Sequence, residues 1–191
     1  MSSNSLTETS YIVLGLLERL QPATPYDLKR LAAISTINFW SVPHTQLYTE
    51  CARLAQAGLL SEEREQTGRR RRIYRVTDDG TRALDEWRSE PTDALEEVRD
   101  AGLLKLFFGA DPAKLAATQL EVHRRQLEAY EQLHAEATEM PRGMRLALEA
   151  GIGHEREFVR FWSELDEVSL SGTGPPRADA PVPRRPVHPP R

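Results

Sequence analysis

Five arginines fall within residues 69–75, between two short runs of strand character. Residues 59–65 read Leu-Leu-Ser-Glu-Glu-Arg-Glu, and residues 73–76 read Ile-Tyr-Arg-Val. Thr67-Gly68 supplies a turn between them, so a hairpin is expected with Arg69, Arg70, Arg71 and Arg72 loaded at its tip. A hairpin tip that concentrates cations tolerates few neighbours except water or an anion. That feature constrains the rest of the chain, because something must hold the hairpin rigid.

Helices supply the support. A first helix is expected over about residues 8–20, with Val13, Leu16, Leu17 and Leu20 at the i, i+3, i+4, i+7 spacing of one buried face. Gln21-Pro22 stops it. Thr24 is an expected N-cap, followed by Pro25 at the first helical position and Asp27 in the first turn. That second helix runs to about Ala33 and buries Leu28 and Leu31. A third helix opens around Ser41 and Pro43, carries Leu47, Cys51 and Leu54 inward, and ends at Gly58. After the hairpin, Thr77 caps a fourth helix with Asp78 and Asp79 near its positive end, anchored by Leu84 and Trp87. Three helices, a hairpin and a closing helix form an expected winged helix-turn-helix domain over residues 1–90.

Pro91 marks a boundary. Beyond it the pattern is helical: a segment over about 92–108 with an apolar cluster at Leu103, Leu104, Leu106, Phe107 and Phe108, then a long helix opened by Asp111-Pro112 and running to about Glu139. Ala116, Leu120, His123, Leu127 and Tyr130 step by fours and threes, the spacing of a helix–helix seam. Pro141 breaks the chain before a last helix with Met144, Leu148, Ile152, Val159 and Trp162 on one side. Residues 91–168 are therefore an expected helical dimerisation domain. Residues 169–191 hold seven prolines and are expected to be a disordered Pro/Arg-rich tail. The fold class expected is mainly α with a small β-hairpin.

Charge follows the same division. Residues 1–90 carry 12 Lys/Arg and 12 Asp/Glu; residues 91–168 carry 9 and 16; residues 169–191 carry 4 and 1, giving 0 − 7 + 3 = −4 for the chain. A basic tip in a neutral half, beside an acidic half, points to one half that meets an anion and one that does not. The single cysteine, Cys51, excludes an intrachain disulfide. No leader-like start and no apolar stretch of membrane length are seen, so a cytoplasmic protein without membrane contact is expected.

An ordered set of motifs resembles the PadR-type transcriptional regulators. Residues 11–17 (Tyr-Ile-Val-Leu-Gly-Leu-Leu) are similar to that family's first-helix run. Thr24-Pro25-Tyr26-Asp27-Leu28 is similar to its second-helix start, with Pro25 where glycine is usual. Gln46-Leu47-Tyr48, then Leu54 and Gly58-Leu59, resemble the recognition-helix signature. Residues 70–80 resemble the wing and its tyrosine-x-valine-threonine-x-x-glycine exit. Residues 103–108 resemble the opening of the helical domain in the longer subfamily. The likeness covers about residues 7–165. Thr49 stands where the family usually has proline, and Glu50-Cys51-Ala52 stand where a basic residue is frequent.

The resemblance implies a homodimer that reads a two-fold operator in double-stranded DNA, acts as a repressor, and in some members binds an aromatic ligand. Candidate DNA-reading residues are Ser41, His44, Thr45, Gln46, Tyr48 and Thr49. Gln pairs with adenine, and Ser or Thr contacts bases or phosphates. Arg69, Arg70, Arg71 and Arg72 are the candidate wing, for phosphates or a narrow minor groove. Four such contacts per half-site, doubled by a dimer, give a salt slope of about −7. Phe107, Phe108, Phe158 and Trp162 are candidates for lining an effector pocket.

An enzyme is not expected. His44, His123, His134, His154 and His188 lack metal-ligand spacing, and no cofactor or nucleotide fingerprint occurs. His154 beside Glu155 and Glu157 reads as a solvated helix face. Cys51 reads as a buried structural thiol in preference to a redox switch. Two alternatives remain at this level. A protein-interaction adaptor would not need the wing arginines; a MarR-like regulator would build its dimer from both chain ends, which the short N-terminal helix and the wholly C-terminal surplus of helices argue against.

Overall fold

The computed structural model describes residues 5–36, 39–65, 70–94 and 99–170, with side chains to residue 167. The chain divides into two compact units, Met1–Leu95 and Glu96–Arg191.

In the first unit, α1 (Glu8–Leu20), α2 (Pro25–Ala32) and α3 (His44–Gln56) precede β1 (Leu60–Arg64) and β2 (Arg72–Val76), and α4 (Asp78–Ser89) closes it. Helices α2 and α4 start where a capping side chain satisfies a free N–H group of the first turn, whereas α3 starts after Pro43 with no side-chain cap. Thr24 Oγ1 accepts from the Asp27 amide while the Asp27 carboxylate accepts from the Thr24 amide, a reciprocal box. Thr77 Oγ1 accepts from the Gly80 amide at the head of α4. The end of α3 is a Schellman turn: Gly58 N–H donates to Ala55 and Leu59 N–H to Leu54. Gly58 sits at φ 79, which a side chain would strain.

One core fills this unit. Val13, Leu14 and Leu17 of α1, Leu28 of α2, Leu47, Cys51 and Leu54 of α3, Leu60 and Tyr74 of the hairpin and Leu84 of α4 are buried together. Leu31 is only partly buried. Trp87 is 45% exposed, but its ring stacks on Tyr11 at 4.7 Å. The hairpin is antiparallel, pairing Leu60 with Val76 and Arg64 with Arg72. It is tied to the helices on its other edge. Ala23 and Tyr74 exchange backbone hydrogen bonds of 3.2 and 2.9 Å, and the Val76 amide donates to the Gln21 side chain at 2.8 Å. A two-stranded hairpin alone is marginal in water; this one gains a third backbone segment and a buried face.

The second unit holds α5 (Ala101–Phe107), α6 (Pro112–Glu136) and α7 (Arg142–Leu170). Asp111 caps α6 through the Ala113 amide, with Pro112 at its first position. The seam anticipated on α6 is filled by α7. Ala116, Leu120 and Trp162 are buried with Leu103, Leu106, Phe158 and Val159 around them. His123 Nδ1 meets Glu155 Oε2 at 2.7 Å, and Gly151 lies against the Tyr130 ring.

Two boundaries and one burial pattern of the second unit differ from the sequence expectation. Residues 92–94 of the segment expected as helix from 92 are not helical, and α5 starts at Ala101, where Asp100 caps it by accepting from the Leu103 amide. Helix α6 ends at Glu136, ahead of Glu139. The apolar cluster expected over 103–108 is split: Leu103 and Leu106 join the core, whereas Leu104, Phe107 and Phe108 are 59%, 76% and 77% exposed. A seven-residue helix presents only one side to its neighbours, so a run apolar on all sides leaves half of itself outside. The expected tail lies outside the described residues from position 171 onward, as does the expected Thr67-Gly68 turn.

Candidate nucleic-acid interface

Helix α3 divides its side chains cleanly. Leu47, Cys51 and Leu54 point into the core, and His44, Thr45, Gln46, Tyr48 and Thr49 are exposed. Ser41 is exposed as well but precedes the helix, which starts at His44. Thr49 Oγ1 donates back to the Thr45 carbonyl at 3.0 Å, a local bond that keeps that hydroxyl close to the helix. The face that remains is mostly polar and lies in the N-terminal half of the helix, the half that a helix-turn-helix presents to a major groove.

What holds this helix was not visible as a site in the sequence. Glu50 is buried on α3, and its carboxylate accepts from Ser10 Oγ of α1 at 2.6 Å. Arg53 donates to both Glu50 oxygens, at 2.9 and 2.6 Å, and to Ser10 Oγ at 2.9 Å. Ser10 Oγ also accepts from the Thr7 amide at 2.8 Å. The Arg53 guanidinium holds the Glu50 carboxyl below its ordinary range, against the opposite push of burial. Glu50 is thus engaged by α1 and Arg53.

The hairpin supplies the second element. Arg69 lies outside the described residues. Arg70 is exposed at φ 48, Arg71 precedes β2, and Arg72 is the first residue of β2 and not part of the turn. Acids engage two of these arginines. Arg71 donates from Nε and Nη2 to the two oxygens of Glu65, at 3.0 and 2.8 Å. Glu62 receives Arg64 Nε at 2.8 Å, lies 3.5 Å from Arg72 Nη1, and accepts from the Tyr74 hydroxyl at 2.9 Å. Hydrogen bonding from Arg71 lowers the Glu65 carboxyl, and that from Arg64 lowers Glu62. Period-two alternation could have found the Glu62 set, because Glu62, Arg64, Arg72 and Tyr74 share one face of the ladder.

Helix α3 and the hairpin come together along one groove of about 430 Å³, lined by Thr24, Pro25, Tyr26, Tyr48, Arg71, Arg72 and Tyr74. Tyr48, which could equally have packed between helices, is 48% exposed here, and Tyr26 is 57% exposed. Two cations, two accessible phenol rings and the start of α2 therefore border one concave strip.

Residues 13–86 match the transcriptional regulator PadR-like family. The chain carries a PadR-like domain. It is similar to the negative transcriptional regulator PadR of Bacillus subtilis, with 27% identity over 171 residues that span 81% of this chain and 93% of the relative. The crystal structure of Bacillus subtilis PadR in complex with operator DNA superposes with a TM-score of 0.72 at 24% identity, covering 83% of this chain and 97% of that one. The structure of the same regulator in complex with p-coumaric acid gives a TM-score of 0.68 at 24% identity, covering 84% and 98%. The chain shares the fold of these PadR structures.

The candidate ligand residues of the second unit separate into two pairs. Phe158 and Trp162 belong to the buried cluster, with the Phe158 ring stacked between His123 and His154 at 4.7 and 4.8 Å. Phe107 and Phe108 contact each other edge to face and stay outside that cluster. Among the described residues no group of histidine, cysteine and carboxylate side chains could hold a metal ion, and no helix is long and apolar enough to cross a membrane. Cys51 is fully buried, and desolvation pushes its thiol up to about 12.

Proposed function

We propose that the protein is a homodimeric repressor that binds a two-fold operator in double-stranded DNA. Residues 1–90 bind the DNA and residues 91–168 join the two copies. The observation that carries this reading is the single groove on which Tyr48 of α3 and Arg71 and Arg72 of the hairpin converge. An exposed helix N-terminal half beside a cationic hairpin matches a duplex: the helix reads base edges and the wing meets the flanking phosphates. Gln46 is the residue for paired hydrogen bonds to adenine, while Ser41, His44, Thr45 and Thr49 position the helix. The relative crystallised with operator DNA supports the same mode.

The dimer reading rests on Leu104, Phe107 and Phe108, large apolar side chains exposed together on a short helix of the second unit. A second copy covering them would supply a second recognition helix for a two-fold operator. The p-coumaric acid complex of the relative supports a small aromatic effector here. Such a ligand relieves repression only by binding the DNA-incompetent dimer more tightly.

The test is footprinting of the purified protein on the duplex upstream of its own gene, with sedimentation of the complex. Protection of two half-sites by two protomers is expected. Equal binding to any duplex, or no binding at low salt, contradicts the reading and favours the adaptor.

A further inference from the structure

Resting on the DNA-binding reading, we propose that Glu65 is a built-in competitor for the DNA phosphate that Arg71 would take, and that its carboxylate sets how much affinity the wing contributes. The geometry is specific. Arg71 donates two roughly parallel bonds to Glu65, the fork-to-fork arrangement in which a guanidinium also grips a phosphate. The Glu65 amide donates to the Arg71 carbonyl at 3.1 Å, so the backbone rung at the mouth of the hairpin holds the two side chains side by side. Both remain accessible, with side chains 64% and 26% exposed, so the pair can open without unfolding the hairpin. Arg71 borders the groove shared with Tyr48 and Tyr26, where a DNA strand crossing from helix to wing would pass.

The consequence is an exchange, not an addition. A phosphate arriving at Arg71 displaces Glu65, and the released carboxylate then stands beside the DNA backbone. It must recruit a cation, which offsets one of the cations that DNA gives up. Any duplex meets the same competition, so weak nonspecific binding is suppressed and the recognition helix decides more of the outcome. Glu62 takes the corresponding position toward Arg72 but also separates Arg64 from Arg72 across the ladder, so its removal disturbs the strand pairing as well. Glu63 is the natural control. It lies between the two in sequence with the same charge, on β1 one residue before its end, and it is exposed and pairs by register with Ile73.

The experiment measures binding of the full-length protein to its upstream duplex and to an unrelated duplex across a salt series, for wild type, Glu65→Gln and Glu63→Gln. Thermal melting verifies that each is folded. Glu65→Gln is expected to bind the unrelated duplex about two- to fivefold more tightly at low salt, the range of an exposed ion pair. Its salt slope should steepen by about one per wing relative to Glu63→Gln. Equal gains in the two variants, or an unchanged slope in Glu65→Gln, overturn the proposal while leaving DNA binding intact. Failure of wild type to bind either duplex removes the DNA-binding reading itself.

Discussion

Ser10 of α1 and Glu50 of α3 meet at 2.6 Å with both side chains buried, and Arg53 closes the set by donating to each. Helix α3 is thereby bolted to α1. Removal of Glu50 leaves Arg53 and Ser10 without their shared acceptor. Glu50→Ala is expected to destabilise the protein by about 1–3 kcal/mol, the cost of leaving buried polar groups unmatched. Denaturant unfolding measures it.

The same carboxyl gives a pH signature. Its folded pKa is lowered by Arg53, so it binds protons more weakly when folded than when unfolded. The stability it contributes is complete above the ordinary carboxylate value of about 4.3 and is lost as pH falls through the folded value. Wild type should therefore lose stability on acidification more steeply than Glu50→Gln. Parallel loss in the two proteins between neutral pH and the onset of acid unfolding argues against this linkage.

Gly80 is required for close approach. A Cβ there would stand 2.2 Å from the Leu59 carbonyl oxygen and 2.9 Å from a Val76 methyl. Gly80→Ala must push α4 away from the hairpin, at a cost of about 1–3 kcal/mol. A melting curve superimposable on wild type would show that the helix yields freely.

Cys51 should be inert in the native protein. It is buried, and its thiol is pushed up to about 12, so almost no thiolate exists at neutral pH. A disulfide-exchange reagent at pH 8 is expected to label it only after denaturation. Rapid native labelling would revive the redox-switch alternative.

The exposed apolar trio of α5 predicts the assembly state. Phe107→Glu with Phe108→Glu should shift sedimentation from dimer to monomer while leaving the first unit folded, because neither ring belongs to its core. An unchanged dimer would place the interface elsewhere.

Much of the first unit was legible because its signals are local. Thr24-Pro25, Thr77 and Gly58 each mark a helix end by their own chemistry, and Leu47, Cys51 and Leu54 show the inward stripe by period alone. The exposed set on α3 follows from the same period. The pairing of Ser10 with Glu50 was not legible, because forty positions separate them and only packing brings them together. Glu62 and Glu65 were read as ordinary strand residues; their role depends on the hairpin register, which fixes which arginine each one faces. In the second unit, helical spacing identified α6 and α7, but the run over 92–108 gave no sign that Asp100 would cap a new helix. Nor could a run apolar on every side say which half, Leu103 and Leu106 or Phe107 and Phe108, would be buried.

The most direct test of the wing-and-helix mechanism is the salt dependence of binding to the upstream duplex, for wild type and for a protein with Arg70, Arg71 and Arg72 changed to alanine. Tight wild-type binding is expected, with a slope that flattens by about 0.9 for each phosphate the variant no longer neutralises, while Gln46→Ala weakens discrimination without changing the slope. Binding that is indifferent to the three arginines at every salt concentration would contradict it.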